Sequence, residues 1–315
     1  MTNIRELKRK IISFPQFSIL LSFVAMLLFF SIFAEGFFSV RNFTGVSRQA
    51  VVQMCVAIGM TFVLISNEID LSVGSIANLS GTIMAGLMVR NGLSPALAIA
   101  LGLGLGTFLG AVNGVVVAYI KVPSFVATLA MMITARGLSL VYSNARPINE
   151  LPDSILYIGR NYVMGIPILV IIAIVLVLVA AFILTRTNYG RHIFAVGGNA
   201  ESARLSGIHI SRTKLSVFAI SGFCAALAGM VMIMRLASSQ PTMGDGLELD
   251  AIAAAVLGGT SISGGKGFVL GTVIGGLFLV FLTNGFNIFG LSSFWQQVFK
   301  GIILVLAVSL YERKK

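Results

Sequence analysis

An all-α protein that crosses a membrane about ten times is the fold this sequence predicts, and three features predict it. Of 315 residues, 57% are hydrophobic and only 10% are charged, with a mean hydropathy of +0.97. One soluble core cannot hide that much apolar surface. The apolar residues fall in runs close to the ~20 that carry a helix across a bilayer, where each backbone polar group must be satisfied internally. Glycines, prolines and charges punctuate the runs.

The first run, 16–34, follows the basic stretch "MTNIRELKRK". It is too long for the apolar region of a signal peptide and lacks a small-residue cleavage site, so it reads as a retained span. Runs near 48–67, 71–89, 94–118 and 124–143 complete a first half. A second half follows near 167–185, 215–238, 251–264, 268–289 and 297–311. The 251–264 run is too short to cross upright, which predicts a short or broken helix, shielded by neighbours, before a turn at 264–267. Gly102, Gly106, Gly110 and Gly114 recur every four residues in the fourth run, lining one helical face where a second backbone can approach. "EID" at 68–70 echoes "ELD" at 248–250, and "GTFLG" at 106–110 echoes "GTVIG" at 271–275. These echoes suggest a five-plus-five inverted repeat, with chance as the competing reading. Residues 1–315 then form one transmembrane domain with two sizeable loops, 144–166 and 185–213.

A net charge of +11 would point to nucleic acid in a soluble protein, but here it sets orientation instead, and no nucleic-acid partner is expected. Fourteen of the 22 lysines and arginines fall on the side of the N-terminus and five on the other, and Arg136, Arg235 and Lys300 lie within runs. The bias puts both termini and 185–213 in the cytoplasm of a bacterial inner-membrane protein, with 144–166 outside.

The stretch "GGTSISGGKG" at 258–267 imitates a phosphate-binding loop. It has Thr260 where that motif needs its first glycine and Gly267 where it needs a hydroxyl, so it reads as a turn. Cys55 and Cys224 sit in apolar runs and are expected to pack as small hydrophobes. His192 and His209 lie in the basic loop. With no nucleophile–base set and no zinc spacing, no catalytic, cofactor-binding or metal residues are expected.

Polar side chains within the runs are the candidates for a solute path: Gln53, Ser72, Ser75, Asn78, Asn113, Thr260, Ser261, Asn284 and Asn287. Ser72, Asn78, Asn113, Thr260 and Asn284 lead the set, and hydrogen bonding between helices is the competing role for each. Glu68, Asp70, Arg136 and Asp250 are charges in or at the ends of spans. Arg136, mid-way along its run, needs a partner, and Asp70, Glu68 and Asp250 are the acidic residues considered. In the 144–166 segment Arg146 and Arg160, with Arg90 on a neighbouring outer turn, offer cations to an acidic docking partner or to phospholipid.

Within 185–213, Asn199 is positioned to cap a short helix that Gly207 ends. Glu201-Ser202-Ala203 followed by Gly207 resembles the E-A-A-x-x-x-G loop of ABC-importer permeases. "IDLSVGS" (69–75), "VPSFVATLAMM" (122–132), "GRHIFAVGGNAESARLSGI" (190–208), the 238–267 stretch and "FKGIILVLAV" (299–308) are similar, in this order, to the ribose-type monosaccharide branch of that family. Two positions depart: Ser202 replaces the middle alanine, and Glu68 stands where the branch carries a small residue. The resemblance implies a permease without its own catalytic site, ATP and Mg²⁺ being held by cytoplasmic ATPase subunits. It also implies an extracytoplasmic sugar-binding protein, a second permease subunit in a homodimer, and a coupling role for Asn199, Glu201, Ser202, Ala203, Arg204 and Gly207. An ion-gradient-driven transporter, or an ABC permease for an amino acid or signalling sugar, are the alternatives.

Overall fold

Each predicted apolar run becomes a helix. The computed structural model describes residues 17–312, and side chains from 19 to 302; the terminal cations Arg5, Lys8, Arg9, Lys10, Arg313, Lys314 and Lys315 lie outside these bounds. In chain order come α1 (Phe17–Phe33), α2 (Val40–Ile65), α3 (Val73–Val89), α4 (Pro95–Ala118) and α5 (Ser124–Ser143). The short α6 (Asp153–Arg160) and a hairpin of β1 (Tyr162–Val163) and β2 (Ile166–Pro167) follow. Then come α7 (Ile168–Arg186), α8 (Asn188–Gly198), α9 (Ala200–Leu205), α10 (Ile210–Leu236), α11 (Leu247–Leu257), α12 (Val269–Ile288) and α13 (Ser293–Glu312). Among the described residues, α2, α4, α5, α7, α10 and α12 are long and apolar enough to cross a membrane.

Helices α2 and α10 are buried along most of their length, while α4, α5 and α7 show most of theirs to the surroundings. The glycine face of α4 explains part of this. A methyl group at Gly106 or Gly110 would overlap the backbone of α10 at Gly222 or Phe218, and one at Gly222 would overlap Gly106 O. The predicted packing face is therefore the α4–α10 seam, where bare backbones gain contacts that larger side chains would prevent. Cys55 and Cys224 are buried and unbonded, with Cys224 beside Gly59 at the α2–α10 contact. A second core holds α1 against α12 through Phe30, Phe37 and Phe281.

Three boundaries differ from expectation. Helix α2 begins at Val40, because Ser39 accepts a cap bond from Asn42 N at 3.2 Å and the Asn42 amide is paired with Asn284. Helix α10 begins at Ile210, so its polar first turns belong to the helix. The short helix is 247–257 rather than 251–264. At 11 residues it rises about 16 Å, half the hydrocarbon thickness.

The segment before α11 runs back along α3: Ser239 meets Thr82 at 2.9 Å, Pro241 O accepts from Asn78 at 2.8 Å, and Gly244 touches Gly74. Protein thus covers this non-helical backbone at membrane depth, as a lipid environment demands. The echoed triplets occupy unlike settings, Asp70 lying before α3 and Asp250 within the first turn of α11.

Candidate functional site

Segment 185–213 folds into a helical hook. Thr187 reverses the chain by accepting from Gly190 N at 3.1 Å and donating to Ile183 O at 2.6 Å. Asn199 then breaks the helix with an extended backbone and caps α9, its Oδ1 accepting from Ser202 N at 2.9 Å. Gly207 ends α9 at φ +82°. The bonds Gly207 N to Arg204 O and Ile208 N to Ala203 O, both 3.0 Å, close the turn. Both cap expectations hold. Glu201 and Arg204 pair with each other on the exposed surface at 2.5 Å, and Leu205 is left open beside them. Ala203 is buried and fastens the helix.

The hook is anchored rather than loose. A methyl at Gly197 would strike Ile65 O at the end of α2, and Gly264 and Gly265 of the "SGGKG" turn pack against Gly197 and Gly198. Both turn glycines have positive φ, and Gly265 N donates to Ile65 O at 2.9 Å. The loop that imitates a phosphate cradle is thus a wedge between the α2 end and α8, a position only glycine fits. Tyr189 reaches Ser216 of α10 at 2.6 Å. Burial pushes the Tyr189 phenol up, while the Ser216 bond opposes the shift.

Lys266 and segment 185–213 share one end of the molecule, as the charge tally requires. Arg48, Arg90, Arg146 and Arg160 share the other. Arg90 donates to Tyr142 O at 2.6 Å and lies over the Tyr142 ring. Arg48 donates to Arg160 O at 2.5 Å and lies over Tyr162. The 144–166 segment is ordered by α6, the hairpin and a bridge from Ile148 to Ser239, and it presents Arg146 and Arg160 on its exposed surface.

The charge pairing corrects the sequence-based choices. Arg136 binds Asp245 at 2.7 Å, with about half of each side chain exposed, and none of the three acids considered. Glu68, 9% exposed, binds Lys214 at the start of α10, which gives this departure from the branch pattern a role. Asp250 binds Lys300 at 2.8 Å. Asp70 is fully buried and accepts from Ser72 N, Ser72 Oγ and Ser221 Oγ at 2.5–2.9 Å. Sequence gave no signal for Asp245 or Lys214, because each partner is distant along the chain.

Most of the leading path residues are occupied by packing. Asn113 donates to Ser72 Oγ at 2.9 Å. Asn78 ties α3 to Pro241 and accepts from Ser139 at 2.8 Å. Asn284 exchanges two 2.9 Å bonds with Asn42. Thr260 is buried in the turn, its Oγ1 without a partner among the described residues.

Comparison with known proteins agrees with this architecture. Residues 42–308 match the family model described as "Branched-chain amino acid transport system / permease component". The chain is 45% identical to a ribose import permease protein of Haemophilus influenzae, over 91% of each chain. It is 41% identical to the ribose import permease protein of Escherichia coli K12, over 94% of this chain and 93% of the relative. It is 36% identical to the xylose transport system permease protein of the same strain, over 95% and 92%. The chain belongs to this permease family.

Proposed function

We propose that this multi-pass membrane permease is the translocating subunit of an ATP-driven monosaccharide importer, with ribose as its first cargo. The observation that carries this reading is the hook itself: α9 is capped at both ends and exposed at Glu201, Arg204 and Leu205, while its base is wedged against α2, α10 and the 264–266 turn. A helix held this way transmits a push to the buried post of the fold, and a rigid lever is what an external motor needs. ATP and Mg²⁺ act in two cytoplasmic ATPase subunits that grip α9, so both termini face the cytoplasm. A second copy of this chain completes the path.

An extracytoplasmic sugar-binding protein docks on the opposite end, where Arg146 and Arg160 supply exposed cations. Arg90, already bonded to Tyr142, braces that surface. The identity to ribose permeases over nine-tenths of both chains supports the cargo, and xylose is the second sugar to screen.

Reconstitution in vesicles tests the reading. Ribose uptake is expected to require ATP, the ATPase subunits and the loaded binding protein, and to survive collapse of ion gradients. Concentration of sugar by the permease alone would overturn it.

A further inference from the structure

Lipid demands an apolar surface, and α7 supplies one in Val175, Leu178, Val179 and Phe182, all exposed. One face of the molecule departs from this. Arg136 of α5 and Asp245, just before α11, pair at 2.7 Å with 51% and 42% of their side chains exposed.

Two independent measures put that pair deep in the membrane. Arg136 lies about 18 Å along α5 from its start and about 10 Å from its end. Helix α11 climbs only about 16 Å from the 264–266 turn at the hook end of the molecule, so Asp245, which precedes it, sits near mid-depth. A charge presented to hydrocarbon is costly, and ionisable groups at this depth face the bundle interior or water.

The backbone adds a second constraint. Residues 237–246 are not helical. Helix α3 covers them on one side, through Asn78 and Gly74, while Thr242 and Asp245 stay exposed on the other. Non-helical backbone at membrane depth persists only where protein buries it or water reaches it.

Hydrogen bonding favours water over a dry protein contact. The Arg136 guanidinium bonds only to Asp245 Oδ2 among the described residues, and its other N–H donors would be stranded in a sealed interface. Glu248 lies beside this face, half-buried with its Oε2 close to Gly74, and has no cation among the described residues. Water solvates both groups at no cost to the fold.

We propose that this face, carried by Arg136, Thr242, Asp245 and Glu248, is the water-filled wall along which the monosaccharide passes. Its donors and acceptors replace, one at a time, the waters that a polyhydroxyl solute gives up. The proposal rests on the importer reading above and names the part of this chain that the cargo meets.

The test uses the full complex in lipid nanodiscs and a hydrophilic methanethiosulfonate reagent, with Thr242→Cys as the wall probe and Val179→Cys on α7 as the lipid control. Wild type supplies the background, because Cys55 and Cys224 are buried. Only the thiolate reacts, and apolar surroundings suppress it, so Thr242→Cys is expected to label at least about tenfold faster than Val179→Cys. In vesicles, labelled Thr242→Cys is expected to lose most of its ribose uptake while ATP hydrolysis stimulated by the loaded binding protein persists. Labelling no faster than the lipid control overturns the proposal, whether lipid or a second copy covers the thiol, and so does full uptake after complete labelling. Should Thr242→Cys fail to assemble, Met132→Cys, one turn from Arg136 on the same side of α5, takes its place. Unlabelled wild type that moves no ribose with ATP would instead overturn the importer reading, and the two failures are thereby distinguished.

Discussion

Two polar sites lie inside the helical body, and they are built on opposite principles. Around Asp70 the groups are mutually satisfied: both carboxylate oxygens accept, Ser72 and Ser221 donate, and Asn113 closes the set. Around Gln53 a buried amide nitrogen has no partner among the described residues, and Thr283 has spent its proton on Leu279 O. The first site welds α3 to α4 and α10 just where the helix is interrupted. The second leaves an enclosed amide nitrogen unpaired among the described residues. Polarity inside a membrane protein therefore does not mark a path by itself, since such groups bond to one another across helices.

Breaking the closed site has the largest expected effect. Asp70→Ala strands three donors at full burial and is expected to cost about 3 kcal/mol of stability, read as a lowered melting midpoint of the detergent-solubilised protein. Asp70→Asn, which keeps an accepting oxygen, is expected to recover part of the loss. An unchanged midpoint in Asp70→Ala would remove the contrast between the two sites.

The ion pair of Arg136 sharpens the comparison at an intermediate level. Arg136→Met leaves Asp245 without its cation and is expected to lower the midpoint modestly, since about half of each side chain is exposed. Adding Asp245→Leu is expected to restore most of the midpoint, because it removes the stranded charge rather than the fold. A double variant no better than the single one would show that Arg136 acts through some other group.

The smallest effect on stability belongs to the exposed hook. Glu201→Ala and Arg204→Ala are expected to leave the midpoint unchanged, since surface pairs contribute little. Both are expected to weaken capture of the ATPase subunits, measured by co-purification. Intact capture and uptake would return this pair to ordinary surface charge.

Much of the fold was legible in the sequence. Ten runs gave ten helices because apolar length is a local signal that the membrane enforces. The α4 glycines, the Asn199 cap, the Gly207 stop and the existence of a short helix before the 264–267 turn were equally readable, each resting on spacing or backbone freedom, although that helix lies at 247–257 rather than 251–264. Boundaries slipped where polar residues continued a helix, as at Asn42 and Lys214. The interior site was far less legible. Gln53 stood among nine polar candidates with nothing to distinguish it, and the acids considered for Arg136 proved to serve other partners.

The sequence by itself determined what the chain must do with its apolar surface: cross a membrane repeatedly, turn at its glycines and expose one polar hook. Only the tertiary structure decided which polar groups were spent on one another and which were left open. Hydropathy and capping depend on neighbours a few residues apart, whereas satisfaction of a hydrogen bond depends on residues brought together across the fold, as Lys214 is to Glu68 and Asp245 to Arg136.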